Sequence, residues 1–390
     1  MSSEWPATTL GGFVRLQRGH DLTASEQQPG PYPVMGSAGQ NGSHNVAKAK
    51  GPGVVVGRSG ASMGRVHYSE SDYWPHNTCL YVTDFQGNNP RFAYYVLGSL
   101  DLAGYNSGSA QPSLNRNYIY GMPLKIPSRA QQDSIVEVLS ALDDRIALLR
   151  ETNATLEAIA QALFKSWFVD FDPIHARARG EAPAGLAPEV AALFPDSFEE
   201  SELGMVPKGW KLMQFGEFID RQSVGKKYDQ KSALVEGCVP ILDQGKSGVI
   251  GFHNDKPGVC ASLDSPVVVF ANHTCYMRLI TFDFSAIQNV LPFTGKGVDS
   301  VWAFYATKDR VKFSEYKGHW PDFTIQKAVV PDQVLTSTFR NVVDPLIRSM
   351  RNNELQAQTL ATLRDTLLPR LISGQLRLPE AEAVLQEAGI

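Results

Sequence analysis

The chain of 390 residues is longer than one ordinary domain, and its 43% hydrophobic and 19% charged residues are typical of a globular protein. Its 36 basic and 40 acidic residues give a net charge of −4, which taken whole argues against a polybasic nucleic-acid binder. No apolar run approaches the roughly 18 residues of a membrane span, and no secretory signal pattern opens the chain. The four cysteines form no C-x-x-C pair, so we expect a cytoplasmic protein without a zinc site.

In chain order, the predicted elements occur twice, at an offset of about 205 residues. The frame of Trp5, Leu10 and Phe13 recurs as Trp210, Phe215 and Phe218, and Ile126-Pro127 recurs as Val330-Pro331. The interiors differ more, because the run Val54–Gly60 has only Val267–His273 as its partner. Two copies are too few for a solenoid, so we expect a pseudo-two-fold molecule whose copies recognise different things.

Each copy is predicted to be an α/β lobe, rich in glycine, proline and aromatic residues, followed by one long helix. The predicted fold class is α+β, with two pseudo-two-fold-related α/β lobes joined by a pair of long antiparallel coiled-coil helices. The expected bounds are a first lobe at 1–128, a helix at 129–172, a proline-rich linker at 173–205, a second lobe at 206–332, a helix at 333–378 and a tail at 379–390.

The two helices are predicted from apolar residues that step by four and three, as in a coiled-coil seam. The first seam begins at Ile135 and the second at Phe339, 204 residues later. Asn153 and Asn353 interrupt these seams, and polar residues at such positions usually determine register and partner. The alternative is that each helix packs only on its own lobe. If the helices instead pair antiparallel, we expect them to hold the lobes at opposite ends of a rod.

One catalytic pattern needs consideration, the G-x-S-x-G sequence of a serine hydrolase at Gly60–Gly64. That chemistry requires a strand before Ser62 and a helix after it. The following residues, Arg65–Ser69, are typical of a strand or loop, so a glycine-rich hairpin is the preferred interpretation. A hydrolase that uses Ser62 remains an alternative.

Charge divides along the repeat, and this favours nucleic-acid binding. Residues 1–125 hold 9 basic and 7 acidic residues, residues 206–331 hold 15 and 12, and the remainder holds 12 and 21. The two lobes are therefore weakly basic and the remainder of the chain is acidic. Side chains that read bases or hold phosphates cluster in the turn-rich stretches of the lobes. The candidate DNA-binding residues are Gln40, Asn41, Arg58, Ser59, Arg65, Gln111, Arg116, Asn117, Lys246, Asn272, His273, Lys296 and Lys317.

Four stretches carry a resemblance to a known family. They are QALFKSWFVDFDP at 161–173, ELGMVPKGW at 202–210, SAQPSL at 109–114 and LLPRLISGQL at 367–376. With these stretches the chain resembles the specificity subunit of type I restriction–modification systems over nearly its whole length. The second lobe lacks a clear copy of the SAQPSL stretch.

The resemblance implies a non-catalytic subunit in which each lobe reads one half of a bipartite, asymmetric DNA target and the helices determine the spacer. Two copies of an adenine methyltransferase subunit would dock on the helices, and an ATP-dependent restriction subunit would complete the nuclease. S-adenosylmethionine, ATP and Mg are expected on those partners and not on this chain. The residues predicted to contact partner subunits are Asn153, Phe164, Trp167, Phe168, Asn353, Leu368 and Leu371. Alternatives are a modification-only complex or a coiled-coil scaffold that binds only proteins.

Overall fold

The computed structural model describes residues 5–108, 111–202, 204–245, 248–315 and 317–387. The chain divides into two compact units, Met1–Leu148 with Gln356–Ile390, and Leu149–Leu355. Each unit contains one lobe and a segment of each long helix.

The first lobe is built from short strands and helices in which valine and aromatic residues alternate with glycine-rich turns. A four-stranded sheet has the order β2-β8-β5-β6, a three-stranded sheet has the order β4-β3-β7, and β1 pairs with β9. Met35, Val55 and Tyr81 form a buried core between the two larger sheets. The elements are β1 Ala7–Thr9, α1 Leu10–Phe13, β2 Arg15–Arg18, β3 Tyr32–Gly36, β4 Gly39–His44, β5 Gly53–Gly57, β6 Val66–Ser69, β7 Trp74–Pro75, β8 Cys79–Asp84, α2 Pro90–Ser99, a 3-10 turn at Ala103–Tyr105, α3 Arg116–Ile119 and β9 Pro123–Lys125.

The first long helix, α4, spans Arg129–Phe168 and is followed by a structured connection. This connection contains α5 at Asp172–Ala178, α6 at Pro188–Ala191, and a hairpin of β10 Phe198–Ser201 and β11 Gly204–Pro207. The predicted linker at 173–205 therefore has secondary structure of its own.

The second lobe follows the order of the first, except that its described residues form one additional strand, β14, and no 3-10 turn. Its sheets have the orders β13-β20-β17-β18 and β14-β19-β15-β16, and β12 pairs with β21. The elements are β12 Lys211–Gln214, α7 Phe215–Phe218, β13 Ile219–Arg221, β14 Lys227–Tyr228, β15 Val239–Leu242, β16 Val249–His253, β17 Val267–Ala271, β18 Met277–Ile280, β19 Ser285–Ile287, β20 Val290–Gly295, α8 Ser300–Thr307, α9 Trp320–Thr324 and β21 Lys327–Val330.

The structure shifts the predicted alignment of the lobe interiors by one residue. The Arg58 amide donates to the Thr78 carbonyl (2.8 Å), and the Asn272 amide donates in the same way to the Asn289 carbonyl (2.9 Å). Arg58 therefore corresponds to Asn272, whereas the sequence alignment paired Arg58 with Ala271. The sequence could not show this because the strand pairing, and not the run of valines, determines which residue leaves the sheet.

The second long helix, α10, spans Gln333–Ile372, and a last helix, α11, spans Leu378–Glu387. The predicted bounds of both long helices were too late, at 172 and 378. After α4, Phe171 adopts a left-handed φ of 55°, and after α10, Gly374 adopts a φ of 74°, so each helix ends before these residues. Part of the predicted tail is helical in α11.

The long helices pair antiparallel, as can be seen within the second unit alone. The Asn353 side-chain amide donates to Asn153 Oδ1 (2.8 Å), while Phe339, earlier in α10, lies against Phe164, later in α4, with ring centroids 5.7 Å apart. In the first unit Arg364 of α10 binds Asp143 of α4 (2.7 Å). The expectation that the helices pair is confirmed, and the alternative that each packs only on its own lobe is wrong.

A buried side chain in the first turns of each long helix binds the helix to its lobe. The Asn89 amide donates to Gln132 Oε1 (2.9 Å), and the Asp299 amide donates to Thr336 Oγ1 (3.1 Å). Gln132 and Thr336 are 2% and 0% exposed and lie 204 residues apart. Asn89 and Asp299 also cap α2 and α8, so the same backbone group is satisfied at the same place in both units.

A tyrosine on each lobe helix makes a second connection to the long helices. Tyr95 donates to Asp143 (2.6 Å) in the first unit, and Tyr305 donates to Glu157 (2.9 Å) in the second. Burial, with the nearby carboxylate, raises the pKa of both tyrosines. Both hydroxyls therefore stay protonated at neutral pH and donate to the carboxylates.

Candidate nucleic-acid interface

The first lobe brings several predicted residues together where the chain leaves β5. The Leu114 amide donates to the Arg58 carbonyl (2.8 Å), and Ser59 forms a bridge with Ser113. The side-chain Nε2 of Gln111 lies 4.0 Å from the place that a Cβ on Gly60 would take. The loop before α3 thus lies against the end of β5, so Arg58, Ser59, Gln111 and Arg116 share one region of the lobe.

A cleft of about 530 Å³ opens beside this region. It is lined by Gln17, Arg18, Gly19, His20, Arg58, Leu80, Ser107, Ser113, Leu114, Asn115 and Arg116. Arg116 Nη1 donates to the Leu16 carbonyl (2.7 Å), and Arg58 Nη1 donates to the Asn77 carbonyl at a longer 3.4 Å. Each guanidinium is held by a backbone carbonyl and keeps other donors that point elsewhere.

The other predicted residues of the first lobe do not line this cleft. Gln40 and Asn41 are exposed on β4, where Nε2 of the Gln40 side chain donates to the Gly42 carbonyl (3.2 Å). Arg65 lines a different cavity, with Tyr94 and Asp143. Asn117 is exposed on α3, and its backbone amide is capped by Asn115. Contact of these residues with DNA stays a prediction.

Sequence reasoning missed Gln17, Arg18, His20 and Asn115, which line the cleft. Gly19, next to two of them, donates its amide to the Cys79 carbonyl (3.0 Å), and Arg58 donates to the neighbouring Thr78 carbonyl. The strand pairing therefore brings residues about forty positions apart to one place. No local sequence pattern predicts that these residues meet. The loop rich in Asn and Ser did indicate the side of the cleft that contains Asn115.

In the second lobe, the predicted residues mostly support one another. Asn272 Oδ1 accepts from the Trp320 amide (2.8 Å), and His273 Nδ1 lies 2.9 Å from the Lys317 carbonyl. Lys317 Nζ forms ion pairs with Glu315 (3.1 Å) and Asp322 (3.3 Å). This cluster of Asn272, His273 and Lys317 is thus structured by its own contacts, and its cation is offset by two carboxylates.

Of the two other predicted lysines, Lys296 lies apart from that cluster and Lys246 is outside the described residues. Lys296 is exposed in the turn after β20, and its amide donates to the Phe218 carbonyl (2.8 Å). Lys246 lies outside the described residues, as do Ser109, Ala110 and Leu203 of the family-like stretches. Sequence reasoning also missed Arg221, whose guanidinium lies 5.6 Å from the centre of the Trp320 ring.

The prediction that side chains of the helical seam contact partner subunits is wrong for most of them. Phe164, Trp167 and Phe168 belong to the buried core of the second unit and are 9%, 2% and 5% exposed. Leu371 is 1% exposed. These seam side chains pack against other residues of this chain, so they are buried without any partner subunit.

Three further residues of that prediction behave in different ways. Asn153 and Asn353 bind each other, and Asn153 also donates to the Met350 carbonyl (2.9 Å). They therefore act within the helix pair, in keeping with a role in register. Leu368 is half-buried and lines the cavity of the first unit that Arg65 also borders.

The structure does not favour the hydrolase alternative. Ser62 lies in a turn between β5 and β6, so the chain passes from strand to turn to strand. The nucleophile geometry of that motif requires a helix after the serine. In the described ranges, no three His, Cys, Asp or Glu side chains come together as metal ligands would. No helix in the described part of the chain is long and apolar enough to cross a bilayer.

Comparison with known proteins agrees with this geometry. Residues 2–158, which cover the first lobe and most of α4, match the model of the type I restriction modification DNA specificity domain. Residues 2–158 belong to that family. The resemblance of the whole chain to type I specificity subunits is confirmed by curated relatives that extend beyond this specificity domain.

One such relative is the type I restriction enzyme MjaIX specificity subunit of Methanocaldococcus jannaschii, 23% identical over 357 residues, which are 84% of this chain and 78% of that protein. Another is the type I restriction enzyme HindI specificity subunit of Haemophilus influenzae, 23% identical over 355 residues, or 74% of this chain and 77% of that protein. The crystal structure of the type I restriction-modification S subunit from M. genitalium shares the fold, with a TM-score of 0.56, 16% identity, and coverage of 95% of this chain and 97% of that one.

Proposed function

We propose that this chain is the DNA sequence-recognition subunit of a type I restriction–modification complex. The observation that carries the proposal is that the two lobes share one backbone frame but have different side chains at equivalent positions where the chain leaves the central strand. The same hydrogen bond holds Arg58 in one lobe and Asn272 in the other. The Arg58 side chain keeps further donors, which suit guanine, whereas the Asn272 side-chain oxygen already accepts from the Trp320 backbone amide. Equal placement with unlike chemistry fits the reading of two unlike half-sites.

The finer features of the proposal follow from the same frame. Each lobe reads one half of a bipartite, asymmetric target, and the antiparallel helices determine the spacer between the halves. The chain itself is non-catalytic. Two copies of an adenine methyltransferase subunit, which uses S-adenosylmethionine, dock on the repeated frame, and a restriction subunit that uses ATP and Mg joins them in the cytoplasm.

Exposed apolar side chains on the helices support docking of such partners. Val334 and Val342 on α10 are 60% and 39% exposed, and Ile159 on α4 is 44% exposed. They replace the buried seam residues as the surface that a partner would cover. A modification-only complex, without the restriction subunit, would use the same surface.

The test is to map methylated adenines in genomic DNA from cells with the partner methyltransferase, with and without this chain. We expect one bipartite motif that depends on the chain. Replacement of residues 206–331 by the matching lobe of another family member should change one half-site and keep the other. A matched control replaces the same residues by the chain's own lobe with synonymous codons. Methylation that is independent of the chain, or a motif that changes in both halves, contradicts the proposal. If the chain instead binds only the partner protein, it is a scaffold.

A further inference from the structure

The cleft of the first lobe differs in charge from two other cavities of the protein, one in each unit. None of the described residues that line it is acidic, and three of them are arginines, Arg18, Arg58 and Arg116. Asp264 and Asp299 line a cavity of the second unit, and Asp101, Asp143 and Asp365 line the cavity beside Arg65. The cleft is therefore suited to an electron-rich occupant.

The guanidinium groups of Arg58 and Arg116 are oriented but not neutralised. In the described part of the chain, neither forms an ion pair, whereas Arg18 binds Asp21 (3.1 Å). Arg58 and Arg116 are half-buried and each is held by a backbone carbonyl. An arginine that has one hydrogen bond to a backbone carbonyl, further donors and no carboxylate partner is suited to bidentate recognition of an acceptor pair.

The wall of the cleft is also preorganised. Asn106 Oδ1 accepts from the amides of Gly108 (2.9 Å) and Ser113 (3.0 Å), and Ser107 Oγ donates to the Ser113 carbonyl (2.8 Å). The loop that carries Ser113 and Asn115 is thereby held against Arg58. An ordered wall lowers the entropy that a ligand loses on binding.

The second lobe indicates which part of DNA the cleft would bind. At the places that correspond to Arg58 and Arg116, the second lobe has Asn272 and Trp320, the first residue of α9. A contact to phosphate carries no sequence information and would serve both lobes equally. A contact to a base edge must differ between lobes that read different half-sites. The absence of this arginine pair from the second lobe therefore favours a base.

We propose that the cleft of the first lobe reads a guanine in its half-site, with Arg58 and Arg116 donating to the O6 and N7 acceptors of that base. Arginine bidentate to guanine is the commonest specific contact in the major groove. Asn115 and Ser113 border the same cleft and contact the neighbouring base pair or its phosphate. This inference rests on the proposed DNA-reading function.

The test uses the full chain in complex with its methyltransferase partner and duplexes that carry every single-base change across both half-sites. For the wild type we expect a position in the first half-site where guanine is preferred about 5- to 150-fold. Arg116→Ala and Arg58→Gln should lower that preference toward onefold, and glutamine should shift it toward adenine. All other positions, including the second half-site, should keep their preferences.

Lys50→Ala is the matched control, because Lys50 is a first-lobe cation with a 91% exposed side chain that lies outside the cleft. It should leave every preference unchanged. Arg58→Gln serves as the second variant because Arg116 also supports Leu16, and the urea midpoint of each variant reports its folding. A first half-site without guanine, an unchanged preference in Arg58→Gln, or an equal weakening on all duplexes with a shallower salt dependence would overturn the inference. Equal affinity of the wild type for all duplexes would overturn the proposed function as well.

Discussion

The seam between the long helices is aromatic in the second unit and aliphatic in the first. In the second unit Phe339 packs against Phe164, Trp167, Phe168 and Tyr305, with ring centroids 5.4 to 5.9 Å apart. The positions related by 204 residues to Phe339, Phe164, Trp167 and Phe168 are Ile135, Leu368, Leu371 and Ile372. One helical frame therefore accepts two kinds of core, because what packing requires is filled volume and not a particular side chain.

The hydrogen bonds between each lobe and its long helix also use different side chains in the two units. Gln132 in one unit and Thr336 in the other satisfy an equivalent backbone amide, with an amide oxygen in one case and a hydroxyl in the other. The geometry of the connection is repeated while its chemistry has changed. The two units therefore share the backbone groups that are hydrogen-bonded and the volume that is buried, but not the side chains that do this.

The largest expected effect is on the aromatic seam. Phe339 is 0% exposed, so Phe339→Ala removes a fully buried ring and should lower the free energy of unfolding by about 3–5 kcal/mol. Ile135→Ala, at the equivalent position, should cost about 2–4 kcal/mol because it removes less volume. Urea unfolding gives the totals, and hydrogen exchange resolved by peptide assigns each loss to its own unit.

Val334→Ala is the control on the same helix, since Val334 is 60% exposed and should change stability by less than about 0.5 kcal/mol. If Phe339→Ala and Ile135→Ala were equally mild, the seams would not be core. If a substitution in one unit accelerated amide hydrogen exchange only in the other unit, this would contradict the division of the chain into two compact units.

A smaller effect is expected at the connections between lobe and helix. Gln132→Leu and Thr336→Val each leave a buried backbone amide without an acceptor, at a cost of about 1–3 kcal/mol. Gln132→Leu should lie at the upper end, because this side chain also donates to Asn88 (2.7 Å) and to the Pro127 carbonyl (3.0 Å). The amides of Asn89 and Asp299 should exchange faster in the respective variants.

Thr338→Val is the matched control for Thr336→Val, since its hydroxyl makes an exposed hydrogen bond to the Val334 carbonyl (2.8 Å) on the same helix. We expect a change within about 0.5 kcal/mol. Equal losses for Thr336→Val and Thr338→Val would mean that the bond to the lobe is not what matters.

The smallest effect is expected at the asparagine pair of the second unit. Asn353→Leu leaves Asn153 Oδ1 without its donor and should cost about 0.5–1.5 kcal/mol. The double variant Asn153→Leu/Asn353→Leu should recover most of this loss, since the equivalent positions hold buried Leu149 and Ala357. A double-mutant cycle from urea unfolding measures the coupling. Additive losses, without coupling, would contradict the hydrogen bond as the source of the effect.

Much of the fold could be predicted from the sequence, but only part of the site. The heptad step and the repeat predicted two long helices and their pairing, because an amphipathic period of 3.5 is a local property. Arg58, Ser59, Gln111 and Arg116 were found from loop composition, and the structure brings them together. Arg18 and His20 were missed because only the pairing of β2 with β8 carries them to Arg58. The seam residues were placed at a partner interface because sequence does not distinguish a seam closed within the chain from one left open.

By itself, the sequence determined that this protein is a duplicated lobe-and-helix unit with weakly basic lobes and an acidic remainder, and it indicated the resemblance to type I specificity subunits. Periodicity, charge and short motifs are local properties of the sequence, so they can be recognised without knowing which distant residues come into contact. The tertiary structure alone decided that Arg58 corresponds to Asn272, that Phe164, Trp167 and Phe168 are core, and that an acid-free cleft forms beside β5. These depend on strand register and helix pairing between residues far apart in sequence, where a shift of one residue changes which side chain leaves the sheet.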